Sequence, residues 1–486
     1  MVAPRNEGSD VYDVIISGGG PTGTMLAAEL RLHGVDVLVL ERDAEPTPLV
    51  RSLGLHARSI ELLDMRGLLD RFLAVGTPYP EAIGHFAGIP SPRPVRLDSA
   101  HAYVLGIPQP VTDRILYEHA VELGAEVRRG AEVVGFTQDD GGVTVSLADG
   151  STVRGGWLVG ADGGRSLVRK LAGIGFPGEA AQIEWMLGEV EATASPEEMA
   201  AVTAQIRRTE RGFGIGPAGD GLVRAVVPAA AVAEDRSVAP TLEEFAARLR
   251  EVAGTDFGVH SPRSLTRFTD ATRLAERYRD GRVLLAGDAA HVHPPLGGQG
   301  LNLGIQDAVN LGWKLAATVA GWAPDGLLDT YGAERHPVAE SVLTSTRAQA
   351  VLTSPEPGPQ AVRRVLAELM EFEDVTTYLA EKVAGTAIRY DVGEGPRLLG
   401  SRLRDVTVDG GRLYEKMRDG RGVLLDGTVT LSADRWAGRV DVVTAPPAEL
   451  PAPALLLRPD GHVMWLGDDA GGLDSALRRW FGPPTA

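Results

Sequence analysis

Apolar positions alternate between short continuous runs and helical repeats in the first part of the chain. The run "VYDVIIS" (11–17) predicts a buried strand ending in glycine, and 21–34 has helical spacing with Gly34 as its cap. A second apolar run, "VDVLVLERD", follows at 35–43. Strand, helix and strand in this order predict a right-handed crossover in a parallel sheet.

Later segments change this pattern. Helical spacing at 55–75, 111–123 and 301–320 predicts three helices, and alternation around Asp140-Gly141-Gly142 predicts antiparallel strands. Short alternating runs with one amphipathic helix (241–254) predict an α+β layer, and 281–290 predicts a strand that rejoins the first sheet. The expected α/β fold has a discontinuous Rossmann-like domain (1–180 and 273–400), an inserted α+β domain (181–272) and a C-terminal domain (401–486).

Composition narrows the function classes. With 486 residues the chain has room for about three domains. A net charge of -17 disfavours nucleic acid and anionic membranes as partners. No cysteine is present, so redox chemistry needs a cofactor and thiolate metal sites are excluded. No signal peptide or membrane span of about 18 apolar residues is found, and we expect a cytoplasmic protein.

The first glycine motif is Gly18-x-Gly20-x-x-Gly23, between a predicted strand and a predicted helix. Gly18 allows a tight turn, Gly20 lets the backbone approach a pyrophosphate, and Gly23 lets the helix close on the sheet. Glu41 ends the next strand, where its carboxylate can accept from a ribose hydroxyl. An adenine dinucleotide is predicted, and a tight structural turn is the alternative.

The second motif, "GDAAHVHPPLGGQGLN" (287–302), follows another apolar run. Asp288 could accept from a ribityl hydroxyl, and the loop opens a helix whose amides and dipole would face the pyrimidine edge of a flavin. A second cofactor loop favours FAD over NAD, while a flexible Gly-Pro connection is the alternative. His291 and His293 could form a metal pair, but loop packing or a cofactor edge is the preferred interpretation, so no metal is predicted.

A third block, "GADGGRSLVRKLAG" (160–173), repeats the strand, glycine loop and helix order. Asp162 could bond a ribityl hydroxyl or brace the cofactor loop. Arg165, Arg169 and Lys170 could meet the phosphates of a nicotinamide cofactor, and a solvated helix face is an equal alternative.

These three blocks resemble the class A flavin monooxygenases of the para-hydroxybenzoate hydroxylase fold. Segments such as "GLHARSIELLDMRGLLDRF" and "LLDTYGAERHPVA" are similar to those of bacterial aromatic polyketide hydroxylases. The resemblance implies a thioredoxin-like C-terminal domain without redox activity, with a structural or dimer-forming role. It also implies FAD contacts beyond the glycines, at Glu41, Arg42, Arg51, Gln109, Asp288, Pro295, Gly298 and Asn302.

The resemblance implies that NADPH reduces FAD and that oxygen forms a flavin C4a-hydroperoxide in a desolvated pocket. The expected reaction hydroxylates a polycyclic aromatic polyketide or a rifamycin-type naphthohydroquinone, with no protein nucleophile. His85, Phe86, Phe213 and Arg224 are the candidate substrate contacts. Baeyer-Villiger oxygen insertion, a non-catalytic flavin-binding scaffold and an oxygen-independent flavin reductase stay open, as does a homodimer.

Overall fold

A computed structural model describes residues 11–80, 85–207, 210, 212–235 and 238–485. The elements of the first stretch are β1 (Val11–Ser17), α1 (Pro21–Leu32), β2 (Val37–Glu41), β3 (Gly54–Leu55), α2 (Ala57–Met65), α3 (Leu69–Leu73), β4 (Thr77–Tyr79), β5 (His85–Phe86), β6 (Ile89–Pro90), β7 (Val104–Gly106), α4 (Gln109–Glu122), β8 (Glu126–Arg129), β9 (Val133–Asp139), β10 (Gly142–Leu147), β11 (Thr152–Gly160), α5 (Leu167–Leu171) and β12 (Gly178–Glu179). The middle stretch contains β13 (Glu184–Glu191), α6 (Pro196–Ile206), β14 (Gly214–Gly219), β15 (Leu222–Pro228), α7 (Leu242–Ala253) and β16 (His260–Thr269).

The remaining elements follow in two groups. The first comprises β17 (Thr272–Leu274), β18 (Arg279–Asp280), β19 (Val283–Leu285), β20 (His291–Val292), α8 (Gln299–Val319), α9 (Thr330–Thr353), α10 (Pro357–Leu369) and α11 (Glu373–Ala384). The second comprises β21 (Thr407–Val408), β22 (Gly411–Arg412), α12 (Leu413–Lys416), β23 (Gly422–Asp426), β24 (Val440–Thr444), β25 (Ala454–Leu457), β26 (Val463–Gly467) and α13 (Ala470–Phe481). Within the described ranges, no helix is both long and apolar enough to cross a bilayer.

The central sheet has the order β18-β19-β11-β1-β2-β8, and the pairs from β19 to β8 are parallel. Its strands are continuous apolar runs because helices cover them, and Val14, Ile15 and Ile16 are fully buried. The carboxyl ends of β1, β2, β11 and β19 share one edge. Loops that follow these four strands therefore meet there, which confirms the mixed α/β class.

The inserted layer is an antiparallel sheet in the order β14-β15-β13-β16. Helices α6 and α7 pack on one face, where Phe213, Phe245 and Leu249 are fully buried. Ser195 and Thr241 cap the two helices by accepting from the backbone three residues on. The opposite face carries half-buried side chains.

The C-terminal unit is a mixed sheet in the order β24-β23-β25-β26, with only β23 and β24 parallel. Helix α13 packs Trp480 and Phe481 into a cluster that also contains Trp313 of α8. This unit therefore shares a core with α8.

Several predicted elements differ in detail from the structure. The helix predicted over 55–75 is two helices, because Gly67 turns the backbone at a φ of +69°. Alternation in 125–136 predicts antiparallel strands, but residues 126–129 form a parallel edge strand beside β2. The hairpin around Asp140 and Gly141 is confirmed. The domain boundaries at 180, 272 and 400 stay predictions.

The free energy of unfolding should decrease as the pH falls, because of the buried His56 and the half-buried His33. Burial lowers the pKa of His33 and of His56 to about 4, below the ordinary 6.5, so the unfolded chain takes up these protons first as the pH falls. Their contribution is complete above pH 6.5 and is lost toward pH 4, at roughly 1.4 kcal/mol per pH unit for each histidine. We expect His56→Gln to flatten the slope by one proton in urea unfolding of FAD-saturated protein at several pH values. The exposed His260→Gln is the control, and equal slopes for all proteins would contradict the assignment.

Candidate functional site: a cofactor cradle beside an open sheet face

The three glycine motifs converge at the carboxyl edge of the central sheet. Gly18 has a φ of +108°, and a Cβ there would clash with the Ala161 carbonyl, next to Asp162. A Cβ on Gly287, where φ is +61°, would lie 2.7 Å from Thr22 Oγ1. Three loops far apart in sequence thus form one site, held together by backbone approaches that only glycine allows.

The start of α1 is shaped to receive a phosphate. A Cβ added to Gly20 would meet nothing within 4 Å, and no side chain caps the helix among the described residues. Helix amides and the positive end of the dipole therefore face open space. A Cβ on Gly23 would instead collide with the Gly18 carbonyl, which explains the third glycine.

Glu41 lies against this loop. Its Oε2 accepts from Gly19 N at 2.7 Å, and its Oε1 accepts from Asp43 N at 2.9 Å. Each oxygen keeps a further lone pair, so a ribose hydroxyl could still donate to it. Arg42 is the next residue, and its side chain is 72% exposed.

The start of α8 forms the second half of the cradle. Gly297 and Gly298 have φ values of +73° and +64°, and Gly298 begins the helix without a side-chain cap in the described structure. Asn302 fixes this turn. Its Nδ2 donates to the Gly298 carbonyl at 3.0 Å, and its Oδ1 accepts from His56 N at 2.8 Å.

Other predicted cofactor contacts lie around these two halves. Gln109 N donates to the Ser52 carbonyl at 2.9 Å, next to the exposed Arg51. Burial raises the pKa of Asp113, beside Gln109, to about 6. Asp288 and Pro295 are exposed on the loop that follows β19, and their contact with FAD stays a prediction.

Part of the third motif (160–173) has a structural role, because it caps α5 and holds a neighbouring turn. Asp162 Oδ2 accepts from Leu167 N at 2.8 Å and Val168 N at 3.1 Å, so the carboxylate caps α5. The expected nicotinamide contact of Arg169 is wrong: the side chain is buried, stacks on Phe176 at 3.7 Å, and donates to the Ala289 carbonyl at 2.7 Å. It holds the 287–289 turn in place.

The two loop histidines have different surroundings. His291 is fully buried, and its Nε2 lies 2.7 Å from Asp307 Oδ2. His293 Nδ1 lies 2.8 Å from the Pro294 carbonyl, and burial lowers its pKa. Among the described residues, His291 Nδ1 and His293 Nε2 are buried without a hydrogen-bond partner, so a role at the cofactor edge stays a prediction beside loop packing.

A largely apolar surface lies on the inserted sheet. Trp185 and Phe268 stack in register on the face away from α6 and α7, with ring centroids 5.5 Å apart and planes 14° apart. Leu187 lies in the next row, between Val226 and Thr266. We call these five side chains, Trp185, Leu187, Val226, Thr266 and Phe268, the platform.

One end of the platform points along β16 toward the 287–302 loop, and the other end meets a charged cluster. Strand β16 continues into β17, where Arg273 pairs with Val292 and Leu274 with His291, so Phe268 is at the end nearest the loop. At the far end, Glu189 is buried between Arg224 and Arg263. Burial raises the pKa of Glu189, but the two guanidinium groups lower it more, so the carboxylate stays ionised.

The four predicted substrate residues lie apart. Phe213 is fully buried on the helix face of the sheet, whereas Arg224 lies on the platform face. Phe86 is buried against α9 and α10, and its neighbour His85 is exposed. The substrate roles stay predictions, and the position of Phe213 does not favour one.

Sequence reasoning missed Trp185, Leu187 and Phe268. Alternation in "EWMLGEVE" was an available signal, because Trp185 and Leu187 share one face of the strand. The alternating glycines at positions 212, 214 and 216 were a second available signal. They lie on the platform face, where Gly216 has open space and a Cβ on Gly212 would meet the Trp185 indole.

The cradle fits FAD. It provides two uncapped helix starts among the described residues, an open approach at Gly20, an acid at the end of β2, and a second acid on the 287–302 loop. Phosphate and a reduced flavin ring are both anionic, and both match positive helix ends. The Gly18, Gly20 and Gly23 loop and Glu41 would hold the adenine dinucleotide half, and the loop through Asn302 would hold the ring.

Comparison with known proteins agrees with this geometry. A family model described as the FAD binding domain matches residues 11–346, and one described as aromatic-ring hydroxylase, C-terminal, matches residues 396–484. The chain belongs to the class A flavin monooxygenases, in the group of aromatic polyketide hydroxylases, and it is an FAD-dependent aromatic monooxygenase.

The chain is similar to several individual proteins over nearly its whole length. Rifampicin monooxygenase of Streptomyces venezuelae is 61% identical over 98% of this chain and 100% of its own length. Dialkyldecalin synthase of Streptomyces rugosporus is 41% identical over 97% and 99%. The solved structure of anhydrotetracycline hydroxylase OxyS from Streptomyces rimosus has a TM-score of 0.89 and 44% identity, covering 98% of this chain and 100% of that chain.

Gly20→Ala should weaken FAD binding. The added methyl group would enter the space assigned to phosphate, and the ordinary φ of -75° means that alanine causes no backbone strain. We expect the FAD Kd to rise about tenfold or more, measured by flavin fluorescence on apoprotein, with an unchanged Tm. Gly135→Ala is the matched control, since its Cβ would make only ordinary contact at 3.8 Å. Equal Kd values for both variants would reject this location for the phosphate.

Proposed function

We propose that this chain is an NADPH-consuming monooxygenase that hydroxylates a polycyclic aromatic polyketide or a rifamycin-type naphthohydroquinone. The observation that carries the proposal is the platform, a largely apolar surface on the strand that continues toward the 287–302 loop. The stacked aromatic pair on it suits a flat aromatic substrate, and the names of the relatives point to substrates of this kind.

Charge at the far end would orient the substrate. Two arginines, Arg224 and Arg263, surround the single carboxylate of Glu189, which leaves one net positive charge. Ionised phenols and enols are anionic, so their oxygens would point to this end. The ring carbon to be hydroxylated would then lie over Trp185 and Phe268, near the loop.

FAD, when bound, supplies the acceptance of hydride and the transfer of one oxygen atom. The chain supplies binding, orientation and exclusion of water, and no protein nucleophile is needed. Arg165 and Lys170 are exposed. Gly164, next to Arg165, lies close to the 287–302 loop, because a Cβ there would lie 2.8 Å from Val292. These cations would meet the phosphates of NADPH.

One relative favours a second candidate. The name dialkyldecalin synthase describes ring formation rather than oxygenation. A platform that holds a flexible polyene in a folded shape could serve such a reaction without net oxidation. Baeyer-Villiger insertion stays a third candidate, because it also adds one oxygen.

A substrate panel tests the proposal. We expect rifamycins, anthracyclinones, angucyclinones or tetracyclines to stimulate NADPH oxidation and to yield a product heavier by one oxygen atom, incorporated from labelled O2. Product structure by NMR separates hydroxylation from ring insertion. NADPH oxidation that no panel member stimulates would reject the proposed class, and an isomerised product formed without oxygen would support the second candidate.

Trp185→Ala should weaken substrate binding. Loss of the indole removes half of the stacked pair, and we expect the substrate Kd to rise about tenfold, roughly 1.4 kcal/mol. FAD affinity should stay unchanged, and Trp185→Phe should recover most of the loss. Phe213→Leu is the matched control on the other face, and it should lower the Tm without changing the substrate Kd. The reverse pattern would place the substrate elsewhere.

A further inference from the structure

A groove of about 340 Å³ lies between α8, α9 and the segment 382–391. It opens on a different face of α8 from the adenine half of the cradle. A Cβ on Gly304 would lie 2.2 Å from Thr22 Oγ1 of α1, so this residue faces the cradle. Gln306, two residues later, lies about 200° further round the helix and lines the groove. The groove is therefore separate from the space assigned to the phosphates of FAD.

The floor of the groove carries three amide side chains of α8. Gln299, Asn302 and Gln306 are only 4%, 2% and 7% exposed. Asn302 is bonded within the 287–302 loop, but Gln306 has no side-chain hydrogen bond among the described residues. Its Nε2 would lie 3.0 Å from a Cβ on Gly385, which belongs to the opposite wall. A buried amide without a partner is costly, so Gln306 offers the groove a donor and an acceptor.

Helix α9 adds a backbone acceptor to the same groove. Pro337 lies inside α9 and has no N–H, so the Ala333 carbonyl, four residues earlier, lacks its helical hydrogen bond. Both residues line the groove. The remaining wall is largely aliphatic, with side chains of Leu303, Val338, Val342, Val383 and Ile388. A flat ring with polar atoms on one edge matches this arrangement.

Charge at the rim favours an acidic group. Lys382 and Arg389 line the groove, and neither takes part in an ion pair among the described residues. Asp391 is the one acid that faces them, because the carboxylate of Glu334 is already paired with two buried cations. Two cations and one acid leave one net positive charge at the rim.

We propose that this groove is a second ligand site, for a flat aromatic acid of two or three rings that carries a lactam or similar amide-like edge. The amide-like edge pairs with the carboxamide of Gln306, the rings lie between Val338 and Val383, and the carboxylate faces Lys382. The volume is at the lower end of the roughly 300 to 1,000 Å³ that small-molecule sites occupy. The site is independent of the platform and of the proposed reaction.

Occupation of the groove should strengthen FAD binding. Asn302 lies in the floor, and its side chain holds the Gly298 carbonyl and the His56 amide. A ligand that packs on this floor restrains the loop assigned to the flavin ring. Because coupling between two sites is reciprocal, we expect a saturating ligand to lower the FAD Kd about fivefold or more, and FAD to strengthen ligand binding equally.

Calorimetry on the FAD-bound protein tests the site. The probe 2-quinolone-4-carboxylate should bind in the micromolar range, and 1-naphthoate, which lacks the lactam edge, about tenfold more weakly. Gln306→Leu keeps the approximate size of the side chain without its amide, so it should remove the difference between the two probes. Lys382→Gln should weaken both. Gln205→Leu, on the exposed side of α6, is the matched control and should change neither Kd.

A platform variant separates this site from the proposed substrate site. Trp185→Ala should leave the Kd of the quinolone probe unchanged, and unchanged Tm and FAD content would show that each variant folds. Binding that is lost in Trp185→Ala and kept in Gln306→Leu would overturn the groove as the site, as would equal Kd values for the two probes or no binding of either. An FAD Kd that the quinolone probe does not change would overturn the coupling. None of these readouts uses NADPH oxidation, so a failure here is distinct from a failure of the proposed reaction.

Discussion

The cofactor cradle depends on the contacts that the buried carboxylate of Asp307 makes. It is fully buried on α8, and it accepts from Gly287 N at 3.2 Å, His291 Nε2 at 2.7 Å and Arg335 Nε at 2.7 Å. Burial raises its pKa, but Arg335 and His291 lower the pKa further, so the group is ionised. One charge thus joins the turn after β19, strand β20 and helix α9. Without it, the left-handed backbone at Gly287 would have no buried partner to hold it against α1.

Buried ion pairs also hold the C-terminal unit against the rest of the chain. Arg458 donates to Glu334 at 2.6 Å, and Glu334 also accepts from Lys314 at 2.8 Å, and all three side chains are buried. Arg66 binds Glu29 at 2.6 Å and donates to the Pro459 carbonyl at 3.0 Å. Buried ion pairs contribute little net stability because desolvation opposes them, but an unpaired member is costly. Such pairs therefore favour a single orientation of the unit against α8 and α9.

Local signals explain what could be read from the sequence. Gly18, Gly20, Gly23 and Glu41 were predictable because a strand, a turn and a helix follow each other within a few residues, and each glycine has a steric reason in that turn. The platform could not be predicted, because Trp185 and Phe268 meet only through the pairing register of two strands that are distant in the chain. Phe213 lies on the helix face of the inserted sheet, and the sequence of one strand does not show which of its faces is turned away from the helices. Arg169 is predicted at the surface, as a phosphate contact or on a solvated helix face, because burial beside Phe176 is a tertiary effect that the local sequence does not show.

In the proposed function, the platform would separate recognition of the substrate from its reaction. A buried carboxylate between two arginines is a fixed charge pattern, and it can discriminate substrates by the position of their acidic oxygens. The end near the loop has no such group, since Trp185, Phe268 and Leu187 offer only apolar surface and exclude water by contact. Oxygen transfer needs that dryness, because water would compete for the reactive centre. Changes of substrate within this fold should therefore act mainly at the charged end, and losses of coupling between reductant use and oxygenation mainly at the apolar end.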